Sequence, residues 1–471
     1  MPHQLLDDVM RGVGEEAASK HVEFVGADPV LPLPLRVGEI SAAAIGATAV
    51  QAARLWQMRT GRMQTVRIDV DAAAVALMSQ RFIRPEAVSG VLEPPFMRRR
   101  QEARVGMGSR IVSARDGRWI FLHREFEHHR QRMEALLQSG NDEQSITAAV
   151  AKWDAFQLED AIFAAGACAG VIRDYSEWDE HPQAITVDAQ PLVEVVKIGE
   201  SAPEPLTAVE RPLSGTRVLD LTRVIAGPTC ARTLAEHGAD VLRIANGTLD
   251  DNEVQRMDTG HGKRSTVLDI TSAEGASTLR HLAQGADVFS QSYRPGALAK
   301  RGFAPEDLAA LRPGIIYVSI SAWSHEGAWS ERRGFESVVQ AVSGVCDDFR
   351  LGGQPRLMPA NAIDYGTGFL AAFGAMVALG RRAREGGSYL VRVSLAKTGR
   401  WITRHQHVSP EERASVPSEL PRERLEELMI SSETPFGRIR HLGPVAQMSE
   451  TPARWQRPTV PPNHDRPEWL V

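Results

Sequence analysis

Three cysteines in 471 residues, Cys168, Cys230 and Cys346, are too few and too far apart for a disulfide framework or a zinc site, and their apolar settings read as reduced core thiols of a cytoplasmic protein. Charge of one sign is missing too. With 54 Lys and Arg against 59 Asp and Glu, the net charge of −5 gives no basic field pointing to nucleic acid. Nowhere do 18 apolar residues run together without charge, so no membrane partner is expected. The opening MPHQLLDDVMRGVGEEAASK carries acids where a secretion signal has a basic start and an unbroken apolar stretch, and no signal peptide is expected. A metal site is not expected either: His123, His128 and His129, in HREFEHHR, lack the H-E-x-x-H spacing and a third ligand, and read as a helix surface. Two nucleotide signatures are absent. The turn after TRVLDLT reads TRVIAGPTC instead of G-x-G-x-x-G, and no Walker lysine motif occurs, which disfavours an NAD or ATP site.

What is present is a long alternation of strand and helix patterns. From Gly215, TRVLDLT, AGPTCARTLAEHG and ADVLRI read as a βαβ unit, with Pro228 near the first helical position. The alternation continues through STVLDI, AEGASTLRHLAQG, ADVFSQS, PEDLAALRPG and GIIYVSIS. This predicts an α/β fold, a doubly wound, Rossmann-like parallel sheet with ligands near the carboxyl ends of its strands. A smaller α+β domain is expected over residues 81–200, opening near DGRWIFLH, and ESAPEPLTAVERPLSG with its three prolines supplies a linker over 201–215. Residues 216–402 form the expected large domain. The tail over 403–471, charged and then rich in proline, is expected to wrap another part of the molecule or to be partly disordered.

Residues 1–80 read as a leader followed by a truncated repeat. Shifting the numbering by 325 lays RTGRMQTVRIDV (Arg59 to Val70) on REGGSYLVRVSL (Arg384 to Leu395), each preceded by a helix of small apolar residues. Glu39 then falls on Asp364.

Asp364 is a lone carboxylate in NAIDYGTGF, before a run of small apolar residues. A helix cap accounts for such an Asp by itself, since its oxygen accepts from the unpaired first-turn N–H groups. The surrounding motifs add to that. LSGTRVLDLTRVIAGPTCARTLAEHGADVLRI, GKRSTVLDI, ADVFSQSYRPGALAKRGF, GIIYVSISAW, RRGFESVVQAVSG and AIDYGTGFLAAFGAMVALGRRAREGG resemble, in this order, the family III CoA-transferases, the carnitine and bile-acid-inducible group. The likeness covers about residues 213–400, with the small domain more weakly alike. The order is permuted, the small-domain segment preceding the large one, as in a tandem fusion that has lost parts of each copy.

The resemblance implies an acyl-CoA:carboxylate CoA-transferase, with Asp364 as nucleophile and an aspartyl-CoA intermediate. It implies Gly366 and Gly368 as glycines of a turn whose N–H groups approach the tetrahedral intermediate. Coenzyme A or acyl-CoA is expected as substrate, with no tightly bound cofactor. Arg223, Ile225, Ala226, Lys263, Ser292, Tyr293, Lys300 and Arg301 match positions around the CoA, Lys263, Lys300 and Arg301 near its phosphates. Their alternative is a solvated charged surface. Ile225 stands where the formyl-CoA transferase branch has glutamine, which argues against that substrate. His325 and Glu336 are possible substrate contacts. An interlocked homodimer of cytoplasmic chains is expected, binding an acyl-CoA donor and a carboxylic acid acceptor. Two alternatives stay open. α-Methylacyl-CoA racemases share the fold and pair an aspartate with a histidine, at whose position this sequence has Phe335; and a degenerate CoA-binding or partner subunit would keep Asp364 as a cap only.

Overall fold

The apolar runs between Arg217 and Ser394 become six parallel strands, in the spatial order Lys263–Val267, Asp240–Ala245, Arg217–Leu221, Val288–Gln291, Ile316–Ser321 and Ser388–Ser394. Numbered along the chain this is 3-2-1-4-5-6, the doubly wound order. Both faces are covered by helices, so the strands are rich in buried Val, Ile and Leu instead of alternating. The computed structural model describes residues 1–85, 108–207, 209–247, 252–405 and 407–470. Part of the expected small domain (86–107), part of the expected large domain (248–251) and position 208 of the expected linker lie outside the described residues.

A seventh strand, Glu194–Gly199, pairs antiparallel with Ser388–Ser394 at the sheet edge. The sequence reading had put this segment in the small domain, but packing draws it to the large sheet. Val193 and Val195 lie against the helix Ala362–Glu385 at Gly374, where an added Cβ would come within 2.8 Å of Val193. That helix, 24 residues long, is apolar enough by length and composition to cross a membrane, yet its apolar stretch is wholly buried within the protein.

The first 80 residues contain a reduced β-α-β-α unit. Strands Val22–Val25 and Val66–Asp69 run parallel, joined by the helix Val37–Thr60 and followed by the helix Val70–Ala76. The shift of 325 carries Val37–Thr60 end to end onto Ala362–Glu385, and lays Asp69, which caps the helix Val70–Ala76, on Ser394, which caps Leu395–Thr403. The two long helices pack on each other within one chain. The apolar face of the helix Val37–Thr60 is therefore covered internally.

Strands Arg110–Ser113, Trp119–Leu122 and Ala169–Val171 form a small antiparallel sheet, with its own apolar core beneath the helices Glu127–Leu137, Glu143–Val150 and Ala155–Ala164. Gly170 presses this sheet onto the helix Glu336–Val342: a Cβ there would lie 2.9 Å from Val342 and 3.2 Å from Ala341. The tail wraps back over the molecule. Gln447–Met448 adds to the strand Val66–Asp69, Trp455 Nε1 donates to the Arg232 carbonyl (3.3 Å), and Trp469 Nε1 to that of Leu282 (2.9 Å).

Candidate active site

The strand order reverses between Arg217–Leu221 and Val288–Gln291, and doubly wound sheets bind ligands at such a reversal, beyond the carboxyl ends of the strands. Here the loops Arg223–Gly227 and Ser292–Ala297, with Ile320–Ala322 of the next strand end, line a cleft of about 330 Å³. Phe126, His128, His129 and the segment around Phe335 close it, and Asp364 and Leu395 line it from the helices behind. The Arg223 N–H donates to Ser292 Oγ at 3.3 Å, tying the two loops together. Val224 has φ +69°, a left-handed conformation that a β-branched residue adopts only under constraint, and such strain gathers at functional sites. Gly227 lets the turn fold back, since a Cβ there would meet Thr222 at 2.3 Å. The helix Ala226–Glu236 then starts at the cleft wall and offers its positive end to an anion.

Asp364 is the third residue of the helix Ala362–Glu385, only 6% exposed. The expected Gly-Thr-Gly turn is not there. The helix begins before Asp364, so Gly366 and Gly368 are helical and their N–H groups face carbonyls one turn back. They are not oxyanion donors. Gly368 is instead a packing glycine, because a Cβ would lie 2.5 Å from the Ala226 carbonyl oxygen and 2.6 Å from Thr229 Cβ. It brings the helix carrying Asp364 close to the helix that opens on the cleft. At Gly366 the nearest atom to such a Cβ is Thr398 Cγ2, at 3.4 Å, ordinary contact.

Glu336, a possible substrate contact in the sequence reading, is a positioning residue. It is buried, and its carboxylate accepts from the Ile363 N–H (3.2 Å), the Asp364 N–H (3.0 Å) and Gln340 Nε2 (2.9 Å). Burial pushes the Glu336 carboxyl up to about 7. Burial first, then the charges of Glu336 and Glu125, holds Asp364 well above the ordinary carboxylate range. With three donors aimed at it, Glu336 keeps the negative charge of the pair, and Asp364 takes the proton until a cation or ligand in the cleft favours its ionised form.

The next residue anchors the turn from behind. Tyr365 Oη donates to Asp258 Oδ2 (2.9 Å), which also accepts from Ser79 Oγ (2.8 Å), while Arg232 pairs with Asp258 Oδ1 (3.1 Å). The N-cap residue Asn361 donates its N–H to the Leu77 carbonyl (2.9 Å) and accepts from Gln80 Nε2 (2.9 Å). The N-terminal unit thus clamps the start of the helix that carries the carboxylate.

Of the eight residues expected around CoA, Arg223, Ile225, Ala226, Ser292 and Tyr293 line the cleft. Lys263 does not. It is 2% exposed, with Nζ 2.7 Å from Asp220 Oδ2 and 2.8 Å from the Pro228 carbonyl. It is spent on a buried ion pair that fixes the first helix, because its side chain reaches inward from the edge strand to Asp220 and the Pro228 carbonyl. Lys300 and Arg301 sit on an exposed turn, Ala299–Arg301, beyond the cleft-lining residues. His325 also leaves the site: Nε2 lies 2.8 Å from Ser319 Oγ, and the ring faces a separate cavity of about 40 Å³ beside Glu194 and Arg392. Among the described residues, no group of three or more His, Cys, Asp or Glu could hold a metal ion.

Sequence reasoning missed the small-domain wall. His123 and His129 are buried, not surface, and His123 stacks on Phe335 with ring centroids 4.1 Å apart and 12° between planes. It also missed Arg294, Arg332 and Arg333, which line the cleft and supply cations where the expected lysine is absent. Arg223 stands 5.6 Å over the Phe126 ring, joining the first loop to this wall.

The model of CoA-transferase family III matches residues 213–426, the segment that supplies the six parallel strands, both cleft loops and Asp364. This segment, less than half of the chain, is similar to CoA-transferase family III. Among curated proteins the chain is similar to an acetyl-coenzyme A transferase of Hypoxylon pulicicidum, 36% identical over 43% of this chain and 35% of that protein. An acyl-CoA transferase of Gibberella moniliformis is 28% identical over 81% of this chain and 73% of its own. A succinate–glutarate CoA-transferase of Agrobacterium fabrum is 30% identical over 42% and 54%. The chain spans about half the length of most curated relatives it matches. A CAIB/BAIF family protein of Brucella suis superposes with a TM-score of 0.39 at 26% identity, over 49% of this chain and 65% of that one.

Proposed function

We propose that this chain is a family III CoA-transferase that carries CoA from an acyl-CoA donor to a carboxylic acid acceptor, with Asp364 as the covalent nucleophile. The observation that carries the reading is a single buried carboxylate facing a switch-point cleft, its backbone held by Glu336. An Asp364 oxygen attacks the thioester carbonyl, the C–S bond breaks, and CoA leaves as thiolate with an acyl–aspartyl anhydride behind it. The thiolate then attacks the aspartyl carbonyl and expels the donor carboxylate, giving an aspartyl-CoA thioester. The acceptor carboxylate attacks that thioester, and the returning thiolate releases acceptor acyl-CoA and free Asp364. No net proton moves, so the site needs an ionised carboxylate and charge stabilisation in place of an acid–base pair. The cations Arg223, Arg294, Arg332 and Arg333, together with the start of the helix Ala226–Glu236, favour the ionised carboxylate and the anionic ligands.

The test is to incubate the protein with acetyl-CoA or succinyl-CoA and hydroxylamine, and to read Asp364 hydroxamate by peptide mass. Label must also exchange from a ¹⁴C-carboxylate into the CoA ester. A racemase-like reading is favoured by one observation, the imidazoles of His128 and His129 in the same cleft. It requires solvent deuterium at the acyl α-carbon with no CoA exchange.

A cytoplasmic setting and a homodimer belong to the same proposal. Three buried free cysteines support a reducing compartment. The helix Val37–Thr60 is buried against its own chain and offers no face for such a dimer. Light scattering at micromolar concentration, giving the mass of one chain or two, decides it.

A further inference from the structure

We infer that His129 is a catalytic residue of this site, its ring N–H holding the acyl carbonyl oxygen while Asp364 attacks; the inference rests on the CoA-transfer reading above. With Gly366 and Gly368 locked inside a helix, the carbonyl needs another donor, and the small-domain wall holds one. His129 is the third residue of the helix Glu127–Leu137, 1% exposed, and lines the same cleft as Asp364. Its Nδ1 is buried without a hydrogen-bond partner among the described residues. Buried polar groups are satisfied in nearly every native structure, so an orphan beside a ligand cleft points to a partner that arrives with the ligand.

The neighbours of His129 are rings. His128 lies at 4.3 Å, His123 at 5.7 Å, Phe335 at 5.8 Å and Phe126 at 5.9 Å between centroids, each steeply inclined to its plane. The His123–Phe335 stack behind it fixes the ring, and Phe335 immediately precedes Glu336, which holds the Asp364 backbone. Wall and nucleophile are thus set by consecutive residues. Burial, with the charges of neighbouring His123, His128, Arg333 and Arg132, lowers the His129 pKa to about 2, so the ring is neutral at working pH. A neutral imidazole carries one N–H. In the attack a C–O bond forms from Asp364, the carbonyl π pair moves onto oxygen, and the ring N–H stabilises that oxyanion. The pair returns as the C–S bond breaks, and the ring neither gains nor loses a proton. His128, partly exposed, and His123, whose face is occupied by Phe335, are less suited.

The test uses the full chain. Acetyl-CoA with a ¹³C carbonyl is bound to Asp364→Asn, where no chemistry follows, and its carbonyl stretch is read by difference infrared. A shift to lower frequency relative to free acetyl-CoA is expected, and its loss in Asp364→Asn/His129→Phe. With Asp364 intact, His129→Phe and His129→Ala should slow single-turnover hydroxamate formation by about 10²–10³-fold, with acetyl-CoA affinity changed less than about fivefold and partial recovery in His129→Gln, which keeps an N–H. Circular dichroism confirms that the variants fold. A carbonyl stretch unmoved by His129→Phe, or adduct formation at the normal rate, overturns the assignment. So does α-deuterium exchange that disappears with His129, which makes the ring a base. If the unaltered chain forms no Asp364 adduct, the CoA-transfer reading itself falls.

Discussion

Both carboxylate oxygens of Glu336 are taken by the first turn that carries Asp364, Oε1 by the Ile363 N–H at 3.2 Å and Oε2 by the Asp364 N–H at 3.0 Å. A side chain thus stands where a helix-capping group would, and it comes from a different helix. The position of Asp364 is set by tertiary structure.

Replacing Asp364 by Asn removes the proposed nucleophile and the cost of a buried carboxyl together. Turnover should fall by at least about 10³-fold. Stability should move the other way. A carboxyl whose pKa is raised in the folded state contributes stability that is full below its unfolded value, near 3.8, and is lost as pH rises through the folded value. Melting curves should show Asp364→Asn equal to the unaltered chain near pH 4 and more stable at pH 8. No gain at pH 8 would contradict the raised carboxyl.

The same shift shapes catalysis. Adduct formation needs Asp364 ionised, so the acid limb of the single-turnover rate should lie above the usual carboxylate range. Glu336→Gln removes a like charge and should move that limb to lower pH. An unmoved limb would mean that the two carboxyls do not interact.

Lys263→Met should act on stability. Breaking a buried pair leaves Asp220 uncompensated and costs about 3–5 kcal/mol, read by urea unfolding. CoA affinity of the folded fraction should stay unchanged, whereas Arg223→Ala and Arg294→Ala should weaken it in a salt-dependent way.

The two glycines of the expected turn should separate. Gly366→Ala meets only ordinary contact and should be neutral or stabilising by up to about 1 kcal/mol, as for any helical glycine. Gly368→Ala would press on Ala226 and Thr229, should cost about 1–3 kcal/mol, and should slow turnover by shifting one helix against the other.

Glu39 is the register partner of Asp364, and its N–H donates to Asp28 Oδ2 at 2.7 Å, much as the Asp364 N–H donates to Glu336. Glu39→Ala should nevertheless leave turnover intact, because Glu39 does not line the cleft around Asp364. A tenfold loss in CoA exchange would tie this position to the working site.

The strands and the two cleft loops were legible in the sequence because each is a local pattern: an apolar run, a turn, a helix start. Asp364, Arg223, Ile225, Ala226, Ser292 and Tyr293 follow from those patterns with the family resemblance. Lys263 misled because a strand cation reads the same whether it meets solvent or reaches Asp220 across the sheet interior. HREFEHHR looked like a solvated face because its charges are local and its partner, Phe335, stands some two hundred residues away. Gly366 and Gly368 looked like a turn because glycine is disfavoured inside helices, and the sequence does not show that at Gly368 the neighbouring Thr229 requires a missing Cβ.

The pairing of the helices Val37–Thr60 and Ala362–Glu385 has a consequence for how the chain can vary. In an assembly of identical subunits every substitution at the contact occurs twice, so a helix must suit its own copy. Here the two faces are spelled separately. Gly46 leaves room for Phe24, whose Cζ would lie 3.2 Å from an added Cβ, while its register equivalent, Ala371, carries one in a fully buried setting. Each helix can drift without forcing the other, and the contact cannot be lost by dilution.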